Sequence, residues 1–199
     1  VRQSFEVIEE QAKLRKSVTS SRSIAADGTV STQQNALEYY FSNRGTMIGA
    51  LGVTSSVSVD LYGNRTDSDV RQSYVIVREQ AKLGSQTTTV KTYDADNNLI
   101  SDQSPVSLVY HYAVDGTLDH VSDNNGNPEI ETNTTSYDYA FDDSTGSRRI
   151  QLTGRTVSST FQIYTVVNNQ ARIASQETLS DSYDTYSSVN RGAHKTSQQ

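Results

Sequence analysis

The sequence predicts an all-β protein built from tandem antiparallel β-hairpin or meander units, arranged either as a sandwich or as one extended sheet. Three observations lead to this prediction. The chain repeats itself along its length. Its apolar residues come in short runs of Val, Ile, Thr and Tyr, separated by Asp-Gly, Asn-Asn and similar turn sequences. Only 34% of the residues are hydrophobic, so a small core is expected.

The repeat is clearest near the start of the chain. Residues 1–14 and 70–83 are identical at nine of fourteen positions. A third, more divergent copy of the segment follows, in which seven residues recur: Tyr164, Val167, Gln170, Ala171, Ser175, Gln176 and Thr178. The segment therefore occurs three times, and equivalent positions should share one backbone conformation.

These copies divide the chain into two full units and a partial third. The first β-repeat unit spans residues 1–69, the second spans 70–159, and the third spans 160–199. The second unit is longer, and we place its insertion near residues 122–144, as a long exposed loop or an added hairpin. The chain begins in phase with the repeat, as expected of a processed or excised segment.

The repeated segment has two interpretations. Residues 9–14 and 78–83 have good helix propensity, but the third copy places Thr-Val-Val-Asn-Asn at the same position, which is a poor helix former. We therefore favour a strand over a short helix. The apolar positions change face midway along the segment, which a β-bulge near Arg78-Glu79 would explain.

The clearest hairpin turns at Asp115-Gly116. Asp-Gly favours a two-residue type I′ turn, which would place Tyr112 opposite Asp119 and His111 opposite His120. The two histidines would then offer two ligands to a transition metal, with an ordinary solvent-facing pair as the alternative.

Two segments resemble the tyrosine-aspartate (YD) repeats of Rhs-type bacterial surface and toxin proteins. They are residues 93–99, with the sequence YDADNNL, and residues 110–121, followed by Asp123 and Gly126-Asn127. Together they cover about a quarter of the chain. The resemblance implies a secreted or surface-displayed β-scaffold and brings no catalytic residues.

Two series of alternating oxygen side chains are similar to the start of a calcium-binding loop. They are Asp94, Asp96 and Asn98, and then Asp123, Asn125, Asn127 and Glu129. Asp and Asn are also the residues that tight turns select, so turn chemistry is the alternative interpretation. We predict no cofactor other than calcium at these positions.

Composition and motifs exclude several classes of function. The net charge of −6 argues against nucleic-acid binding, and no apolar run approaches the roughly 20 residues of a membrane-spanning helix. The chain holds no Gly-x-Ser-x-Gly, His-Glu-x-x-His or phosphate-loop motif, so we predict that it is not an enzyme. Tandem β-units without a catalytic constellation indicate an extracellular or cell-surface structural or adhesive protein.

The partial third unit predicts how copies would assemble. Because its later hairpin is missing, some strand edges should lack a partner, and exposed edges attract other strands. We expect segments of about 1–17 and 160–180 to complete a neighbouring copy head to tail, giving a homo-oligomer, fibre or matrix. The apolar residues expected at this contact are Phe5, Val7, Ile8, Tyr164, Val166 and Val167.

The alternative function is a monomeric surface module that binds a glycan or a receptor. Binding would use the insertion at 122–144 together with four tyrosines, whose rings can stack and whose hydroxyls can hydrogen-bond. These are Tyr110, Tyr112, Tyr137 and Tyr139.

Overall fold

The structure, a computed structural model, describes residues 1–142, 149–184 and 191–198. The described residues form twelve β-strands and no helix. The strands are β1 (Arg2–Ile8), β2 (Gln11–Ile24), β3 (Val30–Phe41), β4 (Met47–Val59), β5 (Arg65–Val77), β6 (Gln80–Tyr93), β7 (Leu99–Tyr112), β8 (Leu118–Ser122), β9 (Glu129–Asp142), β10 (Arg149–Val167), β11 (Gln170–Asp184) and β12 (Arg191–Gln198).

The strands form one open antiparallel sheet. Their order is β1-β2-β3-β4-β5-β6-β7-β9-β10-β11-β12, with β8 also paired to β7. Contacts between strands are almost entirely between neighbours in the sheet, so within the described residues no second layer covers either face. The predicted all-β meander is confirmed, and of the two predicted arrangements the structure has the extended sheet.

β8 and β9 share one position beside β7. β8 pairs with residues 109–112 of β7, and β9 pairs with residues 101–103 of the same strand. Both run antiparallel to β7, so they point in the same direction and lie in line, separated by a turn at 123–127. Residues 104–108 of β7 pair with neither strand. This interruption between β7 and β9 is called the seam below.

The predicted insertion at 122–144 is mostly a strand. Residues 129–142 form β9, which pairs with β10 along its length, so this part of the segment belongs to a hairpin and not to a long loop. Residues 143 and 144 lie outside the described residues.

The three related segments form the same hairpin. Each turns over two residues with positive φ, as a type I′ turn requires: Glu9-Glu10, Arg78-Glu79 and Asn168-Asn169. Each ladder then slips by one residue at the same distance from the turn, which leaves Arg15, Gly84 or Ala174 as a β-bulge. The segments are thus strands. The bulge predicted near Arg78-Glu79 is wrong, because those residues are the turn and the bulge lies at Gly84.

A second loop type recurs six times in the described chain, at residues 25–29, 42–46, 60–64, 94–98, 113–117 and 123–127. In each, the first amide donates to the fifth carbonyl and the fourth amide donates to the first carbonyl. The fourth residue always has positive φ, and it is glycine in five loops and Asn97 in the other. This three-residue loop combines a type I turn with a bulge and is common in hairpins. At 123–127 it joins β8 to β9, which lie in line and do not pair with each other.

The predicted two-residue turn at Asp115-Gly116 is therefore wrong, because its loop contains three residues and only Gly116 has positive φ. Tyr112 consequently pairs with Leu118 and not with Asp119. The predicted pairing of His111 with His120 is confirmed, because a register shift next to His111 compensates for the extra loop residue.

Few side chains are fully buried. Among the described apolar residues, the buried ones are Ala50, Leu118, Val121 and Ile130, and the last three lie in β8 or at the start of β9. The accessible surface is 13221 Å², whereas a compact protein of this mass would expose about 9,300 Å². The small expected core is thus present, and it is concentrated where β8 fills the sheet beside β7.

Polar side chains pair across neighbouring strands on both faces of the sheet. The hydroxyls of Ser73 and Ser85 lie 2.7 Å apart, and those of Ser158 and Ser180 lie 2.8 Å apart. Each of these two strand pairs has a further hydroxyl pair, and others join β3 to β4 and β6 to β7. Because apolar burial is scarce, these pairs and the backbone ladder carry much of the cohesion between strands.

Candidate functional site

The two outermost strands leave complementary gaps. β1 pairs with residues 11–18 of β2, so residues 19–24 have no partner strand on that side in the described chain. β12 pairs with residues 176–182 of β11, which leaves residues 170–175 without a described partner on the outer side. The gap beside β11 lies next to the type I′ turn at Asn168-Asn169. The gap beside β2 lies at the other end of the strands, away from the turn at Glu9-Glu10.

β1 and β12 also run in the same direction. The sheet has eleven strand positions with antiparallel neighbours, so the first and last positions are parallel. β12 contains 8 residues and β1 contains 7, against 13 for the inner strand β5. In a row of copies, β12 of one copy and β1 of the next would together fill one full strand position.

The predicted assembly residues lie in two places. Phe5 is 60% exposed and Val7 is 73% exposed, while Ile8 is half-buried beside the turn of the first hairpin. The other three belong to β10, one strand inside the edge, where they pair with residues 170–173 of β11, which border the gap. These three are Tyr164, Val166 and Val167.

A cavity of about 270 Å³ lies at the seam on one face of the sheet. Its lining carries no charged side chain, and it comes from five strands: Gln86, Thr88, Gln103, Val106, Leu108, Thr132, Thr160, Gln162 and Gln176. On the opposite face, the seam holds a second cavity of about 380 Å³ lined in part by Lys91 and Asp102, whose charged groups are 3.4 Å apart.

The sequence did not reveal the first cavity. Its residues meet only after β7 and β9 have paired across the interrupted ladder. The one available signal was the sequence Gln-x-Tyr, which occurs at residues 72–74 and again at 162–164.

The four tyrosines predicted to bind a ligand do not come together. Tyr110 and Tyr112 follow Leu108 on β7 at even spacing and so share the face of the first cavity, where burial raises the pKa of both phenols. Tyr137 and Tyr139 are an odd number of residues beyond Thr132 on β9 and so lie on the other face. The hydroxyl of Tyr139 donates to the Leu99 carbonyl at 2.9 Å.

The two predicted calcium segments are both three-residue loops. In the first, Asp94 accepts hydrogen bonds from the amides of Asp96 and Asn98 and from the Asn98 side chain. In the second, Asp123 accepts the same bonds from Asn125 and Asn127. Glu129 begins β9 and is exposed. Within the described residues, no three His, Cys, Asp or Glu side chains are grouped to hold a metal ion. Calcium binding at these loops stays a prediction.

The aspartates of these loops have lowered pKa values. Burial raises the pKa of Asp94, but hydrogen bonds from Asn98 and Asp96 outweigh it and hold the pKa below its usual value of 3.8. The backbone amide and the side chain of Asn127 lower the pKa of Asp123. Similar loop hydrogen bonds lower the pKa of Asp27, Asp60 and Asp115.

These pKa values predict a loss of stability in acid. Because the folded pKa of Asp94 lies below 3.8, its contribution is complete above that pH and is lost as the pH falls through the folded value. We expect Asp94→Ala to lower the melting temperature by about 2–4 °C at pH 7, with a smaller deficit at pH 2. Asp96→Ala, in the same loop, is the control because its carboxylate makes no loop hydrogen bond in the described chain. Equal shifts for the two variants would contradict this role.

His111 and His120 stack with ring centroids 4.2 Å apart and an angle of 9° between their planes. Nε2 of His111 lies 2.9 Å from the Ser122 hydroxyl, and Nδ1 of His120 lies 2.9 Å from a carboxylate oxygen of Asp119. These two nitrogens are therefore directed to different partners, and metal binding by the pair stays a prediction.

No helix in the described part of the chain has the length and apolar character needed to cross a membrane. No family model matches the chain, and no curated protein matches it. A solved structure described as a porin-like protein from Bacteroides uniformis ATCC 8492 aligns with 92% of this chain and 96% of its own, at 11% identity and a TM-score of 0.15. A TM-score that low does not establish a shared fold.

Proposed function

We propose that this chain is an extracellular structural or adhesive β-protein whose copies join head to tail into a fibre or matrix. The observation that carries the proposal is the complementarity of the two sheet edges. β1 leaves residues 19–24 of β2 uncovered, and β12 leaves residues 170–175 of β11 uncovered. When β1 of one copy pairs with residues 170–175 of β11 in a neighbouring copy, β12 of that neighbour lies beside residues 19–24 of β2 in the first copy.

Backbone pairing and apolar contact both favour this junction. Each gap presents N–H and C=O groups that only an added strand can satisfy regularly. Exposed apolar side chains lie beside the gaps: Phe5 and Val7 on β1, Ile24 at the end of β2 (66% exposed), and Ile173 on β11 (51% exposed). Their burial at the junction would add to the backbone hydrogen bonds.

The junction uses two different surfaces, so it is heterologous. β1 pairs antiparallel with β11, as neighbouring strands do throughout the sheet. The β12 edge of the added copy then stays free to accept a further copy. Growth then continues without closing. A surface location is supported by the polar composition and by the similarity to YD repeats.

Val7→Pro tests the assembly. The two-residue turn makes Ile8 and Gln11 a hydrogen-bonded pair, so the N–H and C=O of Val7 point away from β2. Proline there removes an outward donor and spares the hairpin. We expect sedimentation velocity and electron microscopy to show concentration-dependent polymers of the unmodified protein and monomers of Val7→Pro.

The matched control is Val114→Pro, which changes a 93% exposed loop residue at a turn position that accepts proline. It should polymerise like the unmodified protein. A monomeric unmodified protein at all concentrations would overturn the proposal, and so would a Val7→Pro variant that polymerises normally.

Engineered cysteines determine which edges meet. The chain has no cysteine of its own, and Ser4 on β1 and Ile173 on β11 are both exposed. Because β12 covers β11 from residue 176 onward, β1 fits the open part of β11 with Arg2 at Ser175 and thus Ser4 opposite Ile173. Under mild oxidation, a mixture of Ser4→Cys and Ile173→Cys should give mainly the mixed dimer, because facing positions on adjacent strands allow a disulfide. Predominant Ser4→Cys homodimers would show that like edges meet instead.

A further inference from the structure

Two chains of side-chain hydrogen bonds end at the cavity on the first face of the seam. On one side, the Tyr164 hydroxyl donates to Oε1 of Gln162 at 3.1 Å, and Nε2 of Gln162 donates to Oε1 of Gln176 at 2.7 Å. This direction of donation leaves Nε2 of Gln176 without a partner among the described residues. Gln176 lines the cavity.

The other side repeats this arrangement. The Tyr74 hydroxyl donates to Oε1 of Gln72 at 3.1 Å, and Nε2 of Gln72 donates to Oε1 of Gln86 at 2.9 Å. Nε2 of Gln86 is then also without a partner in the described chain. The second and third copies of the repeat thus each place in the lining of one cavity a glutamine whose Nε2 has no partner in the described chain.

The rest of the lining is suited to a polar but neutral ligand. The side chains of Gln103, Thr88 and Thr132 also make no hydrogen bond within the described residues, so they offer both donors and acceptors. Val106 and Leu108 add apolar surface between the two amide groups. A charged ligand would find no opposite charge in this lining, and an apolar ligand would leave the amides unpaired.

We propose that this cavity binds one ring of a neutral sugar. A pyranose carries hydroxyl groups around its rim, which match the glutamine and threonine side chains, and C–H groups that match Val106 and Leu108. The proposal does not depend on assembly, because the lining comes from β6, β7, β9, β10 and β11 and not from β1 or β12.

The size of the cavity limits both ligand and affinity. Its volume of about 270 Å³ is slightly below the range of about 300–1,000 Å³ that is usual for small-molecule sites, so it accommodates one ring of a longer chain. A single ring in an open site binds weakly, and we expect dissociation constants of about 1 mM.

The test is nuclear magnetic resonance titration of the isotope-labelled full chain with the methyl glycosides of glucose, galactose and mannose. Sodium glucuronate is the charged comparison, because it has the ring of glucose with a carboxylate in place of the hydroxymethyl group. We expect at least one neutral glycoside to shift the side-chain amide signals of Gln86, Gln103 and Gln176 more than those of other glutamines. Glucuronate should shift them at least about tenfold more weakly, since it meets no cation there.

Substitutions sharpen the test. Gln176→Leu keeps the size of the side chain and removes its amide, so it should weaken the binding of the best glycoside at least about tenfold. Gln80→Leu changes an exposed glutamine in the hairpin of the second copy and should have no effect. If Gln176→Leu fails to fold, the glycoside-induced chemical-shift changes of the glutamine side-chain amides in the unmodified protein test the proposal. The proposal is overturned if no neutral glycoside shifts these amides at about 50 mM, if glucuronate binds equally well, or if a folded Gln176→Leu binds normally.

Discussion

Replacing Ile130 with alanine is expected to lower the free energy of unfolding by about 3 kcal/mol. Ile130 is 1% exposed and is among the few buried apolar side chains of the described chain. It lies near the start of β9 opposite Gln162, where β9 is held by β10 but separated from β7 by the seam. Truncation would remove apolar contact at a place where the backbone ladder is incomplete. Urea unfolding followed by circular dichroism measures the loss.

Ile48→Ala is the matched control. It removes the same atoms from a side chain that is 61% exposed, so its cost should stay below about 0.5 kcal/mol. Similar losses for the two variants would mean that burial at the start of β9 does not hold this part of the sheet together.

Replacing Val121 with aspartate should cost more, about 4 kcal/mol at pH 7. Val121 is 3% exposed on β8 and pairs with Tyr110. Aspartate there would have to bury its charge or expel β8 from the sheet. We expect the second outcome, since β8 contains only 5 residues. Amide hydrogen exchange should then show lost protection in β8 while β3 remains protected.

Val114→Asp introduces the same charge at a loop position that is 93% exposed, and it should leave hydrogen exchange unchanged. Because the new carboxylate at position 121 would be neutral in acid, the stability difference between the two variants should narrow below about pH 4. A Val121→Asp protein with full protection of β8 at pH 7 would show that this strand tolerates an unpaired charge.

Local sequence patterns predicted the strands because each hairpin depends on residues that are close together in the chain. The repeated segment indicated that residues 1–14 and 70–83 should adopt one conformation, and the poor helix propensity of the third copy favoured a strand over a short helix. The turn types were harder to predict. Asp-Gly fits both a two-residue loop and the last two positions of a three-residue loop, and only the register of the flanking strands distinguishes them.

The sequence did not predict which residues share a face of the sheet or which distant strands pair, and the reason is physical. In a sheet without a second layer, polar and apolar residues do not separate strictly between an inner and an outer face, so alternation did not reveal which residues share a face. Tyr110 and Tyr137 were therefore grouped although they lie on opposite faces. The sharing of one position by β8 and β9, which creates the seam cavity, depends on pairings between β7 and residues about thirty positions away.

Because strands touch little beyond their neighbours, the part of the chain that the structure describes has no closed interior whose volume fixes its size. Away from the seam, a hairpin inserted into the row changes mainly the surroundings of the two strands that it separates. Proteins of this construction can lengthen by gene duplication without redesigning a core, and the shared turn and bulge of the three hairpins are what such growth would leave behind.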